Sequence, residues 1–304
     1  MVKLSSIKTE QNNKRTENID MLATREVLRL MNEEDKKVAF AVEKELDNIE
    51  KAVDIIYEKL SKGGRLIYSG CGTSGRLGIL DAVECPPTFG TEPELVHAII
   101  AGGINAFVKS VEGAEDNYNL GEEDLKTIQF TKQDVLVGIA ASGRTPYVIG
   151  AVKYAKSIGA KTISVTCCPA SELNSLTEIS IAPQTGAEVI TGSTRLKCGT
   201  AQKLVLNMLS TSVMIKLGKV YGNLMVDVKA TNEKLIERTV SIVSSATGVK
   251  KEEARKVLFK CDYSAKTAIV MIKCNYSKEE AENALIKAGG HITTVLEQNQ
   301  INKK

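Results

Sequence analysis

Between residues 65 and 182, short apolar runs alternate with stretches of helical periodicity, and this alternation limits the chain to few architectures. The runs fall at 65–69, 95–100, 135–140 and 162–166, with a weaker one at 178–182. Uninterrupted apolar runs of this length suit strands covered on both faces, and strands separated by helices pair in parallel. The predicted fold is α/β: a doubly wound, mainly parallel sheet. Ligands in such sheets bind beyond the carboxyl ends of the strands, usually at helix N-termini.

The flanks are helical. Val42, Leu46, Ile49, Val53, Ile56 and Leu60 step by four and three, which predicts one continuous helix over 34–60. It is expected to lie on the domain's own core, with an oligomer contact of coiled-coil type as the alternative. Residues 1–20 are polar and read as an irregular arm that packs on a neighbour. The stretch 195–217 is apolar nearly all round and predicts a long buried helix. Beyond Asp227 strand signals fade, and segments near 231–247, 250–259, 264–273, 277–287 and 289–298 predict short helices. The expected division is 1–61 for the arm and N-terminal helices, 62–226 for the sheet domain, and 227–304 for a small helical domain.

A chain of 304 residues can bury the core of one large domain and an appendage. A net charge of +3 gives no electrostatic footprint for nucleic acid or an acidic membrane. No apolar run approaches the ~20 residues that cross a bilayer, and the N-terminus lacks a secretory pattern. Seven scattered cysteines, an odd number, read as reduced thiols in a cytoplasm. Two histidines, His97 and His291, make a His-rich metal site a poor expectation. Chemistry here should rest on carboxylates, hydroxyls and lysines.

Three polar clusters could carry it. The first strand runs into Gly70-Cys71-Gly72-Thr73-Ser74-Gly75, a G-x-G-x-x-G loop in a strand–loop–helix context. A dinucleotide site would need an acidic residue closing the next strand, and Ile100-Ala101-Gly102-Gly103 supplies none. The adjacent hydroxyls of Thr73 and Ser74 suit a phosphate monoester better; a purely structural turn is the alternative. After the third strand, Ala141-Ser142-Gly143-Arg144-Thr145-Pro146 repeats the chemistry, with Ser142 and Thr145 as donors or as an ordinary helix cap. The third cluster, Gly186 to Lys197, holds Ser193, Thr194 and Lys197 and reads equally as substrate contacts or as capping of the next helix. Two carboxylates complete the set. Glu84 is expected at the end of a short helix growing from the glycine loop, and Glu115 at the opening of the next; such a pair can act as acid and base.

The three loops resemble the sugar isomerase (SIS) domain, a phosphosugar-binding α/β fold. Over nearly the full length the chain is similar to the N-acetylmuramic acid 6-phosphate etherase family. The resemblance is carried by Cys71-Gly72-Thr73-Ser74-Gly75-Arg76-Leu77-Gly78, Asp81-Ala82-Val83-Glu84-Cys85-Pro86-Pro87-Thr88-Phe89-Gly90 and Glu112-Gly113-Ala114-Glu115-Asp116. Gly192-Ser193-Thr194-Arg195-Leu196-Lys197 and the segment from Lys219 to Asp227 extend it. Cys198, Ala187 and Gln11-Asn12 depart from residues usual in the family: a small residue, proline and two arginines.

The resemblance implies cleavage of the C3 lactyl ether of N-acetylmuramic acid 6-phosphate by a homodimer, without metal or other cofactor. It implies Glu84 as the acid that protonates departing lactate and Glu115 as the base at C2. Thr73, Ser74, Ser142 and Thr145 are the expected phosphate ligands, and Gly72, Gly75, Arg76, Ser193, Thr194 and Lys197 further candidates for substrate contact. A sensor like glucokinase regulatory protein, which carries two such domains, and an aldose–ketose isomerase are the other readings. A SIS-type repressor would need a basic N-terminal helix-turn-helix, whereas residues 33–50 are acid-rich.

Overall fold

The computed structural model describes residues 10–109, 111–230 and 232–302. In chain order, α1 (Thr24–Glu43) and α2 (Leu46–Leu60) precede β1 (Leu66–Gly70), α3 (Gly72–Phe89), β2 (Val96–Ile100), α4 (Asn105–Val108) and α5 (Tyr118–Thr127). Then come β3 (Val135–Ile139), α6 (Pro146–Ser157), β4 (Lys161–Val165), α7 (Glu172–Leu176), β5 (Ile179–Ile181) and α8 (Lys197–Lys216). The chain separates into two units. One holds the chain up to Val83 with Pro93–Ser210; the other holds Glu84–Glu92 with the chain from Thr211 onward.

The first unit is built on a five-stranded sheet in the order β2-β1-β3-β4-β5, and every pairing is parallel. The doubly wound α/β architecture is as the alternation of apolar runs predicts. β1 and β3 are buried along their whole length, which explains why their sequences do not alternate. Each fully buried Leu, Ile or Val contributes about 1.5–3 kcal/mol, and Leu66, Ile67, Leu136 and Ile139 are all fully buried. At the amino ends of these strands Asp134 accepts from the backbone N–H and the guanidinium of Arg65.

Two expectations about helices need correction. The helix expected over 34–60 is two helices, broken at Lys44 and Glu45. The break lets α1 bury Val38, Ala41 and Val42 while α2 buries Ile49, Ala52, Val53, Ile56 and Leu60; Leu46, counted in the stripe, is exposed. The described part of the arm is not wholly irregular. Residues 10–21 form 3-10 turns that bond to this chain's own segment 187–191: Asn13 donates to Ala187 O, Thr16 to Val189 O, and Thr191 to Asn12. Residues 1–9 of the arm lie outside the described residues.

In the second unit α3 does not end at Glu84, as expected, but continues through Pro86 and Pro87 to Phe89. Prolines remove two helical donors. The burial of Cys85 and Phe89 nonetheless continues the apolar stripe, and Gly90, at φ +63, ends the helix. A side chain at Gly90 would strike Asp227 O at 2.1 Å, so this position requires glycine. The hairpin β6 (Val220–Tyr221) and β7 (Leu224–Met225) turns through Gly222 and Asn223, with Gly222 at φ +58. Among the described residues five helices follow: α9 (Glu233–Thr247), α10 (Lys251–Lys260), α11 (Ala265–Cys274), α12 (Lys278–Lys287) and α13 (Ile292–Asn302). Asn232, Ser264 and Ser277 cap three of them through their side chains.

Candidate active site

From β1 the sheet proceeds to β2 on one side and to β3 on the other. At such a switch point the loops leaving the two strands diverge and open a crevice at their carboxyl ends. Gly70 lies opposite Ile139 in the register, so the two strand ends are level. The two hydroxyl-bearing loops singled out in the sequence are the loops that leave these ends.

In the first loop, Gly72 takes φ +51, and α3 begins directly at the strand's end. A side chain at Gly75 would lie 2.6 Å from Ile100 Cγ1 and 2.8 Å from Gly70 O, so only glycine lets this turn close on the sheet. Thr73 and Ser74 fall in the first turn, where unpaired amides favour an anion. Thr73 is half-buried, and Ser74 is buried and donates to Gln202 Oε1 at 2.9 Å. In the second loop, Thr145 occupies the N-cap of α6 yet makes no side-chain cap bond, and Pro146 follows at the first helical position. The hydroxyl is therefore not spent on the helix end. Ser142 and Thr145 are both half-buried.

Glu115 lies in a 3-10 turn, Ala114–Asp116, that follows Gly113 at φ +75 and precedes α5. It is exposed and lines a cavity of about 310 Å³ together with Cys71, Gly72, Arg76 and Glu112. Cys71 Sγ donates to Glu115 Oε2 at 3.7 Å. Burial, and then the Glu115 charge, push the Cys71 thiol up to about 11, so it remains a protonated donor at neutral pH. Arg76 donates through Nε to Phe107 O at 2.9 Å, which fixes its guanidinium at the cavity wall. Glu115, Cys71, Gly72 and Arg76 are thus brought together in the first unit. Glu84 is exposed on α3 and belongs to the second unit.

The third cluster is organised as a structural joint. Glu188 is fully buried and accepts from the amides of Lys197 and Cys198, so a carboxylate of the chain itself occupies the N-terminus of α8. Lys197, expected among the substrate contacts, is 1% exposed, and its ammonium is held by Glu34 at 2.7 Å. Glu34 also accepts from Arg15 and Lys37. Burial acts to raise the Glu34 carboxyl, but the hydrogen bonds from Lys197 and Lys37 outweigh it and hold it at about 2. Ser193 and Thr194 are half-buried in the same segment.

Two further residues escaped the sequence reading. Gln202 is one, through its bond to Ser74. Asp81 is the other: buried, it accepts from Tyr68 Oη, Asn207 Nδ2 and Ser210 Oγ, tying α3 to β1 and α8. Asn207 and Ser210 share a helix face at a spacing of three, a weak signal that only a partner's identity would make readable.

Comparison with known proteins places these features. Residues 48–156 match the glucokinase regulatory protein N-terminal SIS domain, residues 117–212 the SIS domain, and residues 222–277 the C-terminal lid domain of glucokinase regulatory protein. The fold resembles that of a phosphoheptose isomerase from Francisella tularensis, with a TM-score of 0.50 at 16% identity over 64% of this chain and 100% of that one. The N-acetylmuramic acid 6-phosphate etherase of Clostridium beijerinckii is 58% identical, with 97% of each chain covered. N-acetylmuramic acid 6-phosphate etherase 2 of Vibrio parahaemolyticus is 54% identical over 98% of this chain and 99% of its own. Identity of this degree over nearly the whole chain places it in the N-acetylmuramic acid 6-phosphate etherase family.

Proposed function

We propose that the chain cleaves the C3 D-lactyl ether of N-acetylmuramic acid 6-phosphate, giving N-acetylglucosamine 6-phosphate and D-lactate. The observation that carries this reading is the near full-length identity to etherases, and the Glu115 cavity beside the switch-point loop supports it. An ether oxygen is a poor leaving group for direct displacement. In the open-chain aldehyde, however, the C2 proton is acidified by the adjacent carbonyl. Glu115 removes that proton, the C3–O bond breaks, and Glu84 protonates the departing lactate oxygen. Water then adds at C3 of the unsaturated aldehyde and a proton returns to C2, so the sum is hydrolysis of the ether.

Orientation comes from the phosphate. Thr73 and Ser74 with the first amides of α3, and Ser142 and Thr145 at the start of α6, hold it across the crevice. Gly72 and Gly75 let the backbone approach, and Arg76 offers a cation to an anionic substrate. Ser193 and Thr194 remain sugar-contact candidates; Lys197, occupied by Glu34, is not retained. Phosphosugar binding is assigned to residues 62–226, supported by 1–61, with 227–304 as a helical C-terminal domain. The active form is a cytoplasmic homodimer. The described cysteines form no disulfide with one another, which is consistent with that compartment, and exposed apolar residues beside the edge strand β2 are consistent with a second copy.

The test is incubation with N-acetylmuramic acid 6-phosphate in deuterated water, followed by NMR. Lactate release with deuterium at C2 of the product is the expected result. Deuterium without lactate would replace the etherase with an isomerase-like activity.

A further inference from the structure

Gln202, on α8, is 1% exposed, and its amide oxygen accepts the Ser74 proton at 2.9 Å. The nitrogen of the same amide is buried and has no hydrogen-bond partner among the described residues. Buried amide nitrogens almost always find an acceptor, so a lone one beside a ligand loop points to a second arrangement.

Ser74 supplies the reason for one. A hydroxyl has a single proton. While that proton goes to Gln202, Ser74 presents only lone pairs, and lone pairs repel a phosphate oxygen. The two ends of a side-chain amide are nearly the same size, so a half-turn about the last side-chain bond needs no extra room. After it, Nε2 donates to Ser74 Oγ and the Ser74 proton is free for an anion. The group then lacking a partner is a carbonyl oxygen, which is tolerated better than a bare N–H.

We infer that Gln202 is the positioning residue of the phosphate cradle, its buried amide turning over to direct the Ser74 proton onto the phosphate monoester of the ligand. This rests on the reading of Ser74 as a phosphate ligand. Gln202 need not touch the phosphosugar; it acts through Ser74.

The test is a double-mutant cycle on the full-length protein, with N-acetylglucosamine 6-phosphate as the probe and Kd taken from the ligand-induced rise in Tm. Ser74→Ala should weaken binding roughly 10- to 100-fold, the effect of losing a hydrogen bond to a charged group. Gln202→Met keeps the side chain's length but leaves the Ser74 proton undirected, and should weaken binding by a smaller factor than Ser74→Ala, with the ligand-free Tm close to the parent's. In the Ser74→Ala background, Gln202→Met should add nothing. Effects that multiply would overturn the inference, because Gln202 would then act independently of Ser74. A Gln202→Met variant with a lowered Tm and unchanged Kd would make the residue a structural pin. Unchanged binding in Ser74→Ala alone would remove Ser74 from the cradle, an outcome separable from the other two.

Discussion

The Cys71 thiol lies 3.7 Å from the Glu115 carboxylate, and burial with that charge raises its pKa to about 11. A raised thiol pKa keeps the reactive thiolate scarce until the pH nears 11. At pH 8 alkylation of Cys71 by iodoacetamide should run roughly a hundredfold below that of an ordinary thiol of pKa ~8.5. Glu115→Gln removes the charge and should speed labelling, read by peptide mass spectrometry; unchanged labelling would break the proposed link between the two side chains. On the reaction itself, Glu115→Gln and Glu84→Gln should each lower lactate release by roughly 10²- to 10⁴-fold, the usual contribution of a positioned acid or base. Glu115→Gln should also abolish deuterium exchange at C2, and persistence of exchange would exclude it as the base. The hydroxyl loops were legible because strand, glycine turn and helix are contiguous: Thr73, Ser74, Ser142 and Thr145 announce themselves locally. Lys197 was misread because its partner Glu34 is 163 positions away, and no local spacing distinguishes a buried ammonium from a solvated one.

Strands and helices were legible for different reasons. β1 and β3 are covered on both faces, so their apolar runs stand out. The break between α1 and α2 was hidden because Val42 and Leu46 keep helical spacing across it, although only Val42 is buried. The hairpin of β6 and β7 is too short for periodicity, and its one signal is the Gly222-Asn223 pair. α1 is bound to the start of α8 by Glu34, and that joint governs a pH dependence. The Glu34 pKa is lowered from 4.5 to about 2, so its stabilisation is present above about 4.5 and lost as the pH falls towards 2. Glu34→Gln should flatten Tm across that window. At neutral pH it should cost about 3–5 kcal/mol, because it leaves Lys197 buried without its partner. Pairing it with Lys197→Met should restore most of the loss, whereas no recovery would mean that Arg15 and Lys37 carry the joint.

At the scale of the whole molecule, the sheet of the first unit ends in β2, an edge strand with apolar residues exposed beside it. Ile104 is 72% and Val108 81% exposed in and next to the short helix that follows β2, and Leu80 and Val83 on α3 are 47% and 57% exposed. Ile104 also lines a groove of about 250 Å³ together with Ile79 and Ile99. A lone subunit seldom leaves such surface in water, and a bare sheet edge invites pairing. A second copy of the chain, related by a two-fold axis, would cover the same patch on both partners at once. Light scattering on the purified protein should therefore give twice the chain mass. Ile104→Asp with Val108→Asp places two charges in the contact and should reduce the mass to that of one chain. Both residues are solvent-facing, so the circular dichroism spectrum should stay unchanged. A dimer that survives both substitutions would move the interface to another face of the molecule. A monomeric parent protein would withdraw the homodimer from the proposal while leaving the Glu115 cavity, which is lined within one chain, as it stands.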